Sequence, residues 1–127
     1  MSVDYLANSP LGSLRMDDER PDDIVLTVQL TDADVECGQP GDCKTCPWAL
    51  AVIRAACAAG LDDKGQLQVK VFGDTAMLKL ADERWYVALC PFAIREFVRR
   101  FDHAGAIPAE RPTVELRFHL VREEVPF

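Results

Sequence analysis

Two kinds of catalytic side chain are scarce in this 127-residue sequence. The three serines, Ser2, Ser9 and Ser13, all lie near the N-terminus, so a serine nucleophile is excluded from the rest of the chain. Histidine occurs only as His103, which would complement a helix dipole, and His119, which we expect to be exposed on the polar side of a strand. No glycine-rich loop has the spacing that binds phosphate. The sequence therefore lacks the common templates for serine hydrolases and nucleotide-binding enzymes.

A long apolar run and an excess of positive charge are also missing. The longest apolar stretch, residues 47–57, contains Arg54 and is much shorter than the roughly 20 residues that span a bilayer. The net charge of -7 repels phosphate backbones and anionic lipid, so we expect neither nucleic-acid nor membrane binding. No basic stretch followed by an apolar run occurs near residue 1. This pattern predicts a cytoplasmic protein whose five cysteines stay reduced.

What is present is the composition of one globular domain, with 49% hydrophobic and 28% charged residues. The charge is uneven, because residues 1–23 contain six acidic and two basic residues and show no sustained apolar period. We therefore predict a flexible or loosely docked acidic N-terminal arm over residues 1–23. Residues 24–127 are predicted to form a single domain.

Alternating apolar residues predict five strands. These strands cover residues 24–30, 67–71, 76–80, 85–89 and 114–120. Gly73 and Asp74 form a two-residue hairpin signal between the second and third strands, and a short polar turn precedes the fourth. The three middle strands are therefore predicted to form an antiparallel meander.

Three helices are predicted between these strands. Thr31 and Asp34 have the spacing of a capping box for a short helix that ends at Gly38. Residues 47–59 are apolar nearly all round, which indicates a buried central helix, and residues 91–104 have one apolar stripe. The fold class is therefore α+β, with a mainly antiparallel sheet of about five strands packed against two main helices.

Cys37, Cys43 and Cys46 form the one cluster with chemical character, and three interpretations remain open. The Cys43-x-x-Cys46 pair is half of a zinc site, but the second such pair is absent. Alternatively, Cys46 lies directly before a helix, whose dipole would favour a reactive thiolate that Cys43 could resolve. In the third interpretation the cysteines are small buried side chains that position a loop. Cofactors are therefore none, or zinc in the alternative.

Two further features concern the helices. Cys46-Pro47 and Cys90-Pro91 share the form Cys-Pro-aromatic-Ala-aliphatic, which we interpret as the same helix start used twice. On the second helix, a stripe formed by Arg95, Arg99 and Arg100 is the one basic surface. The ordinary interpretation of such a stripe is a solvated helix face. If the stripe binds a ligand, an acidic partner segment is the better match, and the acidic N-terminal arm of the chain itself is one candidate.

Residues 41–51, GDCKTCPWALA, resemble a motif of small uncharacterised proteins encoded by bacteriophages and prophage-like regions, especially of actinobacteria. Residues 101–105, FDHAG, fit the Phe-Asp-x-Gly helix end of that group with one extra residue. The chain departs from the group at Asp34-Val35, where a His-Ile pair is usual, and at Cys90-Pro91, where Pro-Pro is common. The resemblance implies an origin and a fold, but no catalytic residue.

These observations predict a small non-enzymatic phage or prophage accessory protein that acts by binding a host or phage protein. The acidic arm and an exposed sheet edge, which could also pair with a second copy of the chain, are the two candidate surfaces. The alternative is a thiol-redox or zinc-stabilised protein that uses Cys43 and Cys46. Under the resemblance, the location is the cytoplasm of the bacterial host.

Overall fold

The computed structural model describes residues 22–62, 65–81, 83–103 and 107–121. The predicted acidic arm lies outside these residues, except for Asp22 and Asp23. Within these ranges, eight elements follow one another along the chain. They are β1 (Ile24–Gln29), α1 (Asp32–Cys37), α2 (Pro47–Ala58), β2 (Gln68–Val71), β3 (Thr75–Lys79), β4 (Trp85–Leu89), α3 (Phe92–His103) and β5 (Thr113–Val121).

The strands form one sheet in the order β1-β5-β4-β3-β2, and every neighbouring pair is antiparallel. The α+β class, the five strands and the meander of β2, β3 and β4 are therefore confirmed. Gly73 lies in the predicted two-residue hairpin with a φ of 101°, a conformation that glycine adopts without strain. The last strand, β5, lies between β1 and β4. No local sequence pattern predicts this position.

One face of the sheet, the inner face, packs against the helices. Its side chains come from every strand and include Val28, Leu78, Tyr86 and Phe118. Trp48 from α2 and Phe97 from α3 meet above this face in an edge-to-face contact with ring centroids 6.3 Å apart. The expectation that α2 is buried all round is wrong for its C-terminal end, where residues 57–59 are exposed. The apolar side chains of an alanine-rich helical turn are buried only where another element packs against that turn.

The junction between α1 and α2 leaves no room for a side chain at Gly38. The predicted capping box is present, since the Thr31 hydroxyl accepts from the Asp34 amide and the Asp34 carboxylate accepts from the Thr31 amide. Gly38 ends α1, and a Cβ there would lie 2.5 Å from Cδ of Pro47. A glycine at this position therefore lets the start of α2 pack directly against the end of α1.

The opposite face of the sheet, the outer face, carries a second apolar cluster. It consists of Met77 and Val87 with partly buried Trp85, Leu89 and Val121, all from strands. Strand β4 is thus apolar on both faces. Its side chains at 85, 87 and 89 lie on the outer face, away from the helices, whereas the alternating apolar side chains that predicted β2 and β3 lie on the inner face. A strand carries apolar side chains on both faces when both faces are buried.

His119 is buried, which corrects the expectation of an exposed side chain. It is 1% exposed on the outer face, and its Nδ1 lies 2.8 Å from Oδ1 of Asp23. Arg117 is 3.3 Å from the other oxygen of the same carboxylate. The alternation of β5 correctly placed His119 on the face opposite the apolar side chains of the strand. It could not show that this face is buried, because burial depends on what packs over the face.

No helix within the described ranges is long and apolar enough to cross a membrane.

Candidate protein-binding groove

A groove lies between α3 and the segment that leads into β5, and we call it the α3 groove. Its cavity has a volume of about 300 Å³. Among the described residues, eight line it: Phe92, Ala93, Glu96, Phe97, Arg100, Pro108, Glu110 and Pro112. The mixture of aromatic, proline and charged side chains provides an apolar floor with charged margins.

Phe92 is the residue that distinguishes this groove from ordinary surface. The apolar stripe of α3 turns Ile94, Phe97 and Phe101 towards the core. Phe92 lies two residues before Ile94, on another side of the helix, and its side chain is 67% exposed. Ile107, directly before the lining residue Pro108, is 65% exposed. An exposed aromatic side chain that lines a cavity, with a second exposed apolar residue next to the lining in the sequence, is typical of a binding surface.

The structure divides the three predicted arginines. Arg100 lines the α3 groove, and its guanidinium is 3.9 Å from the Glu110 carboxylate. Arg95 lies over the Phe92 ring, 6.0 Å from its centroid. Arg99 forms an ion pair with Glu96, one turn back along the helix. Two of the three arginines therefore flank the exposed aromatic ring or the cavity, and the third is held along the helix.

The hydrogen bond from Arg99 keeps the pKa of the Glu96 carboxyl below its ordinary value. Glu96 is consequently an anion at neutral pH and is poorly suited to donate a proton. The charges at the groove margin are thus arranged in ion pairs, and the Arg100–Glu110 pair is long and solvent-exposed. Such a pair contributes little to stability, so an incoming carboxylate can replace Glu110 at Arg100 at low cost.

The cysteines occupy separate environments. Cys37 is exposed, Cys43 is intermediate and Cys46 is buried. The Cys46 thiol caps α2 by accepting from the Ala49 amide at 3.4 Å. Within the described ranges, no group of three or more His, Cys, Asp or Glu side chains is placed to hold a metal ion.

Burial changes the expected chemistry of Cys46. Desolvation raises the pKa of its thiol to about 11, although the amides of Ala49 and Trp48 act in the opposite direction. The reactive thiolate suggested by the helix N-terminus is therefore not favoured, because burial outweighs the helix amides. Cys90 behaves similarly, since burial raises its thiol pKa to about 12.

The two Cys-Pro helix starts differ by one position. In α2, the Cys46 carbonyl accepts the first helical hydrogen bond from Leu50, and Pro47 is the first helical residue. In α3, it is the Pro91 carbonyl that accepts from Arg95, so Pro91 takes the place that Cys46 has in α2. Cys90 instead donates its amide to Asp74 in the hairpin at 2.9 Å. The repeated sequence thus has two structural uses.

We expect thiol labelling of the native protein to separate the cysteines by burial. Exposed Cys37 should react with an aromatic disulfide first. Cys57 is also exposed, but desolvation and the nearby Asp62 carboxylate raise its thiol pKa, so it should react after Cys37. Cys43 is partly buried and should also react more slowly than Cys37. Cys46 and Cys90 should stay unreactive at pH 8 until denaturant is added, because they are buried and their pKa values are raised. Fast labelling of Cys46 in the folded protein, located by peptide mass spectrometry, would contradict this assignment.

Sequence reasoning identified Arg95, Arg99 and Arg100 but missed the α3 groove itself. A large aromatic residue outside the apolar stripe was the available signal at Phe92. The other wall, Pro108 to Pro112, carries no motif and reaches α3 only through the tertiary fold.

No protein-family model, no curated protein and no solved structure matches this chain.

Proposed function

We propose that this chain is a small non-enzymatic accessory protein, of phage or prophage origin, that binds a host or phage protein. The observation that supports binding is exposed Phe92 beside the cavity of the α3 groove. The suggested origin comes from the sequence resemblance alone. The α3 groove is the surface on which we propose that the partner binds.

The groove suits a peptide segment that carries one large apolar side chain between carboxylates. Phe92, Phe97 and Pro108 offer apolar contact around a cavity of about 300 Å³, at the small end of the range for ligand pockets. Arg95 and Arg100 stand at its margin and can pair with acidic groups of the partner. Aromatic and arginine side chains at the centre of an interface carry much of its binding energy.

The thiol-redox and zinc alternatives draw less support from the arrangement of the cysteines. Cys46 is buried with a raised thiol pKa, and Cys37 is exposed on another element. A structural role, in which Cys46 caps α2, accounts for its contacts. We therefore propose protein binding in preference to thiol chemistry.

Replacing Phe92 with alanine should weaken partner binding by at least about tenfold, since truncating a central aromatic residue costs about 2 kcal/mol in typical interfaces. The measurement has two stages. Tagged full-length protein first captures its partner from bacterial host lysate with quantitative mass spectrometry. Calorimetry with the purified partner then gives the dissociation constants of the wild-type protein and of Phe92→Ala.

Phe72→Ala is the matched control, because Phe72 is the other largely exposed phenylalanine among the described residues and lies in the β2–β3 hairpin, outside the α3 groove. This variant should bind like the wild-type protein. Arg100→Glu should weaken binding as Phe92→Ala does, since it places a carboxylate where the partner supplies one. Equal affinities for wild type, Phe92→Ala and Arg100→Glu would refute the α3 groove as the binding surface.

A second copy of the chain is the alternative partner, through an edge of the sheet. At the β2 edge, the Val71 amide donates to the Cys43 carbonyl at 2.8 Å, so the preceding loop occupies part of this edge. β1 is the longer edge strand, and Val25 on it is exposed. Self-association would therefore form on β1. Capture of only the chain itself would favour this alternative.

A further inference from the structure

The outer face of the sheet contains a row of side chains that crosses all five strands. Direct pairing joins Lys70 to Met77, Met77 to Val87, and Val87 to His119. The register of Ile24 with Phe118 places Asp23 opposite His119, and their side chains are 2.8 Å apart. The row thus begins with a carboxylate directly before β1 and ends with an ammonium group on β2.

The centre of this row is completely removed from solvent. Val87 is 0% exposed, and Met77 is 8% exposed. The helices contribute their buried side chains to the cluster on the inner face, whereas the outer cluster contains strand residues only. Among the described residues, therefore, no helix accounts for the burial of the outer face. A sheet face at this level of burial needs a covering layer.

We propose that residues 1–21 form this covering layer by docking across the outer face of the same molecule. The chain reaches the structure at Asp22 and continues through Asp23, which is part of the row. A segment of 21 residues spans up to about 70 Å when extended, whereas five strands are about 19 Å across. The segment is thus long enough to cross the sheet and return.

The composition of the segment fits this surface. Its apolar residues include Val3, Tyr5, Leu6, Leu11, Leu14 and Met16, which can cover the apolar centre. Its acidic residues are Asp4, Asp17, Asp18 and Glu19. The outer face carries the basic side chains Lys70, Lys79 and Arg117 around its apolar centre. Lys79 pairs with Glu83 and Arg117 with Asp23, both at the edge of this face. Carboxylates of the segment can add to these pairs, because each cation can bind more than one carboxylate oxygen.

The width of the sheet also fits the spacing between the acidic residues of the segment and the lysines of the outer face. A chain that leaves Asp23 and crosses perpendicular to the strands reaches the opposite edge after about six residues. On this path Asp17, Asp18 and Glu19 would come near Lys70 and Lys79. We therefore infer docking of the predicted acidic arm on the outer face and not on the arginines of α3.

The test is nuclear magnetic resonance on the full-length protein. We expect nuclear Overhauser effects between the methyl groups of Met77 or Val87 and side chains of residues 1–21. Contacts of these methyl groups with residues 122–127 alone, or no contacts beyond the strands, would overturn the proposal. Contacts of residues 1–21 with Arg95 or Arg99 would overturn it in favour of docking on α3. A mixed-label sample in which the contacts are intermolecular would instead show that a second copy supplies the cover.

Charge variants supply an independent measurement. Joint replacement of Asp17, Asp18 and Glu19 by Asn, Asn and Gln should cause loss of contacts near Lys70 and increase relaxation of the Met77 methyl by a soluble paramagnetic agent. Glu36→Gln is the matched control, because Glu36 is an exposed carboxylate on α1. An unchanged Met77 signal in the triple variant would contradict the electrostatic part of the proposal.

Discussion

Trp48→Ala should lower the free energy of unfolding by about 4 kcal/mol, the cost expected when a large aromatic side chain is deleted from a packed core. Trp48 is 0% exposed in the first turn of α2. Its ring makes the edge-to-face contact with Phe97 that joins α2 to α3 above the inner face. Deletion would leave a cavity at the point where both main helices meet the sheet. Urea denaturation followed by far-ultraviolet circular dichroism gives the value.

Trp48→Phe is the matched control for this effect. Within the described residues, the buried Nε1 of Trp48 has no hydrogen-bond acceptor. Phenylalanine keeps an aromatic ring against Phe97 and removes the unsatisfied donor, so part of the lost packing energy is recovered. We expect a loss of about 1 kcal/mol or less. A loss as large as that of Trp48→Ala would show that the indole itself, not an aromatic filler, is required.

Arg54→Met should lower the free energy of unfolding by about 2 to 3 kcal/mol, because it leaves the buried Asp34 carboxylate without its cation. Asp34 is 4% exposed, and Arg54 donates to its Oδ2 at 2.9 Å and to the Gln29 carbonyl at 2.6 Å. These contacts tie α2 to α1 and to the end of β1. Arg54 is about half exposed, which holds the expected cost below that of a fully buried pair.

The control is Arg99→Met, which removes the exposed ion pair with Glu96 on α3. Exposed pairs of this kind contribute less than about 1 kcal/mol. Chemical denaturation at pH 7 should therefore separate the two arginine variants clearly. Similar losses in the free energy of unfolding for both variants would show that burial of Asp34 does not strengthen its pair with Arg54.

The same pair predicts an acid-dependent loss of stability. Burial would raise the pKa of Asp34, but hydrogen bonds from Arg54 and Thr31 outweigh it and hold this pKa below the ordinary value of 3.8. A carboxylate whose pKa is lowered by folding stabilises the native state above its unfolded-state pKa. That contribution is present at pH 5 and above and is lost as the pH falls below about 4. Asp34→Asn should show a weaker decline than wild type in this interval.

Local sequence determined most of the secondary structure of this protein. The capping box at Thr31, the proline that begins α2 and the glycine hairpin at Gly73 all act within a few residues, so each could be predicted from its neighbours. Alternating and helical periods then gave the α+β class and the order of the elements. The arginines of α3 were visible as a charged stripe for the same reason.

The tertiary structure alone decided which surfaces are covered. The burial of His119, the second apolar face of β4 and the raised pKa of Cys46 depend on how the whole chain packs, not on the neighbouring residues in the sequence. The α3 groove has one wall in a helix and the other in the segment before β5, and no local pattern brings them together. Periodicity shows which side chains share a face, but burial is a sum over everything packed against that face. For this reason the sequence determined the elements, and only the assembled fold decided where the α3 groove and the buried charges lie.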